Sequence, residues 1–147
     1  MVRKNTAAHK RVDRDEALNR LPYLAAPVLH LNLHDELRTL RQEESWQRET
    51  GRSSKTLAKY PDFRIVLVRM KANTQMKEHH ADARISIQSL EGKIRVRLPD
   101  QTVDLSAGEL MALDYGIRHD VEALEESAFL ITVSWPGGTA EERHQTS

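Results

Sequence analysis

From Phe63 onward the chain alternates apolar and polar residues in short runs, the period-two pattern of strands with one buried face. The runs Phe63 to Lys71, Ile85 to Leu90, Lys93 to Leu98, Gln101 to Leu105, Glu109 to Leu113, Arg118 to Ala123 and Ala128 to Trp135 predict strands. Turn signals separate them at Tyr60-Pro61-Asp62, Glu91-Gly92 and Pro99-Asp100, and Pro136-Gly137-Gly138 ends the last run. Upstream, Val28 to Leu33 also alternates and predicts a strand. Asn32 then stands where a helix N-cap would, with Asp35 at the capping-box position and Leu33, Glu36, Leu37 and Leu40 at helical spacing. This helix is expected to run to about Arg48 and to stop at Gly51, with Arg52 to Lys59 as a polar loop. Short strands in succession behind one helix argue for a closed or sandwiched antiparallel sheet, mainly β, and against a parallel α/β fold.

One strand is apolar on both sides. In Phe63 to Lys71, Ile65 and Leu67 face away from Val66, Val68 and Met70, so each face needs cover. A twofold-related second copy is the expected cover for the outer face, giving a homodimer, and the helix after Asn32 is the rival.

Composition narrows the class. The 147 residues suit one domain with its own core. The 22 basic and 22 acidic residues cancel, which leaves no net field to hold a polyanion or an anionic membrane surface, so nucleic-acid and membrane partners are not expected. Cysteine is absent, which excludes disulfides, thiolate metal sites and a cysteine nucleophile and fits a cytoplasmic setting. The longest apolar stretches fall well short of the ~20 residues of a membrane span. Residues 1–28 read as a charged mobile tail, 29–135 as the folded domain and 136–147 as a polar C-terminal tail.

The chemistry centres on Gly108-Glu-Leu-Met-Ala-Leu-Asp-Tyr-Gly-Ile-Arg-His119. Its spacing resembles the second motif of the cupin superfamily, with Gly108, Gly116 and His119 in register, Asp114 in place of the proline and Ala123 in place of the asparagine. Gly92, in the turn Leu90-Glu91-Gly92, anchors a degenerate first motif. There Ile85 takes the place of the glutamate; His80 and Glu78 take the two histidine places in one register, and His79 and Ala81 take them in the other. The resemblance implies a jelly-roll β-barrel with a small-molecule pocket at its mouth.

Strand parity lets only alternate residues converge, which favours Met76, Glu78 and His80 facing inward; a bulge or an early strand end would turn His79 inward instead. Ile85 and Ile87 would line the pocket, and Tyr115 would sit at its rim. Glu78, His80 and His119 would form a two-histidine, one-carboxylate set suited to a divalent transition metal (Fe, Mn, Ni or Zn) with open coordination positions. Two functions follow: a metal-free small-molecule binding or sensor module, or a metal-dependent dioxygenase or isomerase acting on a small organic substrate. No nucleophile elbow, phosphate loop or dinucleotide fingerprint occurs in the sequence.

Overall fold

The computed structural model describes residues 24–42, 51–79 and 82–136, with Glu78 and His79 described by their backbone alone. Of the expected tails 1–28 and 136–147, residues 1–23 and 137–147 lie outside the described residues, as does the expected helical stretch from 43 to Arg48, while within 24–28 the Ala26 carbonyl accepts the Tyr60 hydroxyl at 2.6 Å.

Among the described residues the helix α1 (Leu33–Gln42) precedes nine strands: β1 (Arg52–Tyr60), β2 (Phe63–Met70), β3 (Gln75–His79), β4 (Arg84–Glu91), β5 (Lys93–Arg97), β6 (Thr102–Ser106), β7 (Leu110–Leu113), β8 (His119–Ala123) and β9 (Ser127–Ser134). They form a five-stranded sheet in the order β1-β2-β9-β4-β7 and a four-stranded sheet in the order β3-β8-β5-β6. Every pairing is antiparallel. The seven strand segments expected from alternation are all present, each within a residue or two of its expected bounds.

Three local expectations are corrected. Residues 28–32 form no strand, and Val28 is 82% exposed, so their alternation has no face to bury. Asn32 does cap α1: its side-chain oxygen accepts the Asp35 N–H at 3.1 Å and its carbonyl accepts the Glu36 N–H at 3.1 Å. The supposed polar loop from Arg52 is strand β1, paired with β2 along its length and bulged between Thr56 and Ala58. The turn at Gly92 does not close a hairpin, because β4 and β5 lie in different sheets. Gly92 is a corner with φ of 76°, and a Cβ there would meet the Glu126 carbonyl oxygen at 2.2 Å. Ser127 closes this corner by accepting the Lys93 N–H at 3.0 Å and donating to the Glu125 carbonyl at 2.7 Å.

Between the sheets lies the main core of Val68, Met70, Ile87, Ile94, Val96, Leu105, Val121, Ala123 and Phe129. A second core lies outside the five-stranded sheet, where Leu37 and Leu40 of α1 meet Leu57, Leu67 and Ala128. Burying a leucine side chain stabilises by about 1.5–3 kcal/mol, enough to hold this short helix on the sheet. Lys55 pairs with Glu36, and Arg41 pairs with Glu126, tying both ends of α1 down. The outer face of β2, whose apolar residues were the ground for a homodimer, is thus covered by the chain's own helix.

Candidate functional site

Register across the five-stranded sheet defines the barrel's inner face row by row. Val66 pairs with Ile131, Ile131 with Ile87, and Ile87 with Met111, and all four side chains border the main core. Two residues further along each strand, on the same face, Arg64 pairs with Val133, Val133 with Ile85, and Ile85 with Leu113. The Gly92 corner joins the far ends of β4 and β5, so this second row lies at the barrel end where β8 begins with His119.

His119 is 8% exposed on the inner-facing parity of β8, two residues before Val121. Its Nδ1 lies 3.1 Å from the Ile117 carbonyl oxygen. A carbonyl only accepts, so Nδ1 carries the proton, and in the neutral ring the lone pair sits on Nε2. The same carbonyl fixes the ring orientation, as hydrogen bonds on one imidazole nitrogen do when the other serves a ligand.

Opposite His119 the ladder is irregular. Met76 pairs with Val121, but a register shift follows, and His79 is the residue paired with His119. The shift puts the backbone of position 79 opposite His119, the place in the ladder that an unbroken strand would give position 78. This is the one-residue alternative noted from the sequence. The side chains of Glu78, His79 and His80 lie outside the described structure.

The expected pocket residues divide. Ile85 and Ile87 are buried on the inner face. Tyr115 is not brought to them: its ring packs 4.4 Å from the Arg84 guanidinium, and Arg84 belongs to the opposite face of β4. Arg84 also pairs with Asp114 at 3.2 Å, which holds the whole Asp114-Tyr115 turn against the outer surface. Arg64 on the inner face was not singled out by the sequence reading. Its guanidinium lies 5.1 Å from the Trp135 ring centroid, and its Nε is shielded from solvent with no hydrogen-bond partner. The signal was available, because Arg64 shares the parity of Val66 and Val68 and so interrupts an apolar stripe.

The charged side chains of β5 face away from this site. Arg95 grips Asp104 through two hydrogen bonds of 2.8 and 3.1 Å, and Arg97 pairs with Glu122 and Asp120. Hydrogen bonding from Arg95 holds the Asp104 carboxyl below its ordinary range. The basic row is therefore a neutralised outer ladder.

Among the described residues, no three histidine, aspartate or glutamate side chains are grouped to hold a metal ion. Ile85 supplies an apolar group where the motif has its carboxylate. The described residues at this end thus supply apolar side chains and one imidazole. None of the described helices is long and apolar enough to cross a membrane.

With the two sheets and the His119 end in view, the chain is a cupin-fold domain, and solved structures show the same architecture. KdgF from Halomonas sp. matches with a TM-score of 0.56 over 60% of this chain and 83% of that one, at 23% identity. A cupin-2 domain containing protein from Shewanella frigidimarina matches with a TM-score of 0.57 over 71% of this chain and 93% of that one, at 25% identity. Salicylate 1,2-dioxygenase from Pseudoaminobacter salicylatoxidans gives a TM-score of 0.67 over 76% of this chain but 36% of the dioxygenase, at 14% identity. No family model and no curated protein matches the sequence. The likeness is one of fold, and one fold hosts many chemistries.

Proposed function

We propose that the protein binds a small organic molecule at the His119 end of the barrel, without needing a metal to hold it. The observation that carries this reading is the pairing of Ile85 with Leu113 beside Val133 on the inner face, in the strand position where a metal-binding cupin presents its carboxylate. An isoleucine cannot ligate a cation, and it lowers the local polarity that a bare divalent ion needs. It does suit the apolar body of a ligand whose polar edge meets the His119 imidazole. The proposal includes no second subunit, because α1 occupies the face on which a dimer would have closed.

A second reading keeps the metal. What supports it is the backbone register of His79 opposite His119, whose Nδ1 is committed to the Ile117 carbonyl and whose Nε2 is the nitrogen left to serve as a ligand. A third ligand would then have to come from outside the described side chains or from substrate.

The discriminating experiment uses protein purified without tag or chelator and then stripped of metal. A fragment library is added while the methyl resonances of Ile85, Ile87 and Leu113 are followed. Saturable shifts at these methyls in metal-free protein support the binder. Shifts that arise only after Fe, Mn, Ni or Zn is restored select the metal-dependent reading.

A further inference from the structure

Resting on the binding reading above, we infer that Arg64 is an anion-recognition residue of the same site and that the ligand is a small carboxylate with an apolar body. The inner face of a sandwich is an expensive place for a cation. Arg64 nevertheless holds a core-facing position, two residues from Val66 and in register with Val133, which pairs on its other side with Ile85. The outer-face arginines of the sheets have acids: Arg69 has Glu91 and Glu126, Arg84 has Asp114, Arg95 has Asp104, and Arg97 has Glu122, while Arg52 at the start of β1 reaches the Gln75 carbonyl at 3.5 Å. Among the described residues no carboxylate pairs with Arg64.

Trp135 explains how the guanidinium is held. Its ring offers a π-face 5.1 Å away, and its backbone N–H donates to the Asp62 carbonyl at 2.9 Å, which fixes the chain just after β9 where the ring is mounted. Stacking places the guanidinium but does not neutralise it. Nε is already cut off from water with no acceptor, so part of the desolvation cost of meeting an anion is met before any ligand arrives. The terminal nitrogens present the planar fork that matches a carboxylate. Its inner-face neighbour on the next strand is Val133, and the same row continues across β4 and β7 with Ile85 and Leu113, which offer nothing polar. A carboxylate attached to a compact apolar group satisfies the guanidinium and the apolar row at once; a polyanion serves only the guanidinium, and a neutral sugar brings neither a charge nor an apolar body.

The test compares acetate, benzoate and phenylacetate with their primary amides on metal-stripped protein. Methyl shifts of Ile85 and the Arg64 Nε resonance are the readouts, for wild type, Arg64→Gln and Arg64→Lys. At least one acid is expected to bind roughly tenfold or more tightly than its amide, since a charge-assisted hydrogen bond is lost in the amide. Arg64→Gln should abolish that preference, and Arg64→Lys should keep part of it. Equal binding of acids and amides, or an acid preference that survives Arg64→Gln, overturns the inference while leaving the pocket in place. If neither acids nor amides move Ile85 or Arg64, the inference and the binding reading both fall. Should Arg64→Gln not fold, the wild-type comparison of acid with amide and the Arg64→Lys variant still decide.

Discussion

His79 lies opposite His119 across the β3–β8 ladder, because the register slips between Met76 and His79. A single extra residue on one strand exchanges the faces of everything beyond it. Position 79 is therefore predicted to be the one coupled to His119. With imidazoles labelled in nitrogen-15, His79→Ala should shift the side-chain resonances of His119 strongly, while Glu78→Ala should shift them weakly. The reverse order would restore the unbroken strand and move Glu78 to the site.

The Gly92 corner should be far less tolerant than Gly116. Both have positive φ, 76° and 67°, and for any L-residue that backbone costs about 1–2 kcal/mol. At Gly116 a new Cβ meets nothing within 4 Å, whereas at Gly92 it meets backbone atoms of Glu126 and Ser127 at 2.2 and 2.9 Å. Gly116→Ala should cost about 1–2 kcal/mol in urea unfolding, and Gly92→Ala should cost clearly more or prevent folding. Equal losses would show that the corner relaxes.

Docking of α1 rests on Leu40, which is fully buried. Leu40→Ala should destabilise by about 2–4 kcal/mol through the cavity it leaves. Leu40→Glu should release the helix and expose Leu57 and Leu67, so sedimentation should show new self-association. If Leu40→Glu leaves the sedimentation profile unchanged, the outer face of β2 does not depend on α1 for cover.

Asp104 gives a pH prediction of known sign. Its carboxyl is held below the usual range by the hydrogen bond from Arg95, a preference that burial opposes and the charge of Arg95 reinforces. A depressed folded-state pKa means the interaction contributes above the unfolded carboxylate value of about 3.9 and is lost as pH falls through the lower, folded value. Carbon-13 titration should place Asp104 below a typical exposed aspartate, and Arg95→Gln should bring it back up. An unmoved midpoint in that variant would assign the depression to other groups.

The fold was largely legible because its strands announce themselves by period two, and the second core explains why Phe63 to Met70 is apolar on both sides. β1 was not legible. On its outward face Lys55 pairs with Glu36 of α1 and Ser53 lies opposite Arg69, so polar residues stand where alternation would show apolar ones. Val28 to Leu33 shows the opposite failure, an alternation that no partner strand uses. The inner-face burial of His119 and Ile85 was legible from motif spacing and parity. The register shift in β3 could not be read, since a bulge leaves the residue order untouched and changes only the facing. Tyr115 was displaced by Arg84, a contact between neighbouring turns that periodicity does not encode. Arg64 was hidden among the many surface charges of a chain that is 30% charged, although its parity marked it.

The central claim, a ligand seated at the His119 end without metal, is tested most directly by calorimetry. The tightest ligand from the fragment screen is titrated into wild-type and His119→Ala protein, first with EDTA present and then with each of Fe, Mn, Ni and Zn restored. The account predicts one site per chain, an affinity in EDTA within about twofold of that with metal, and a five- to tenfold loss in His119→Ala, the value of about one hydrogen bond. Binding that vanishes in EDTA, or that is indifferent to His119→Ala, would contradict it.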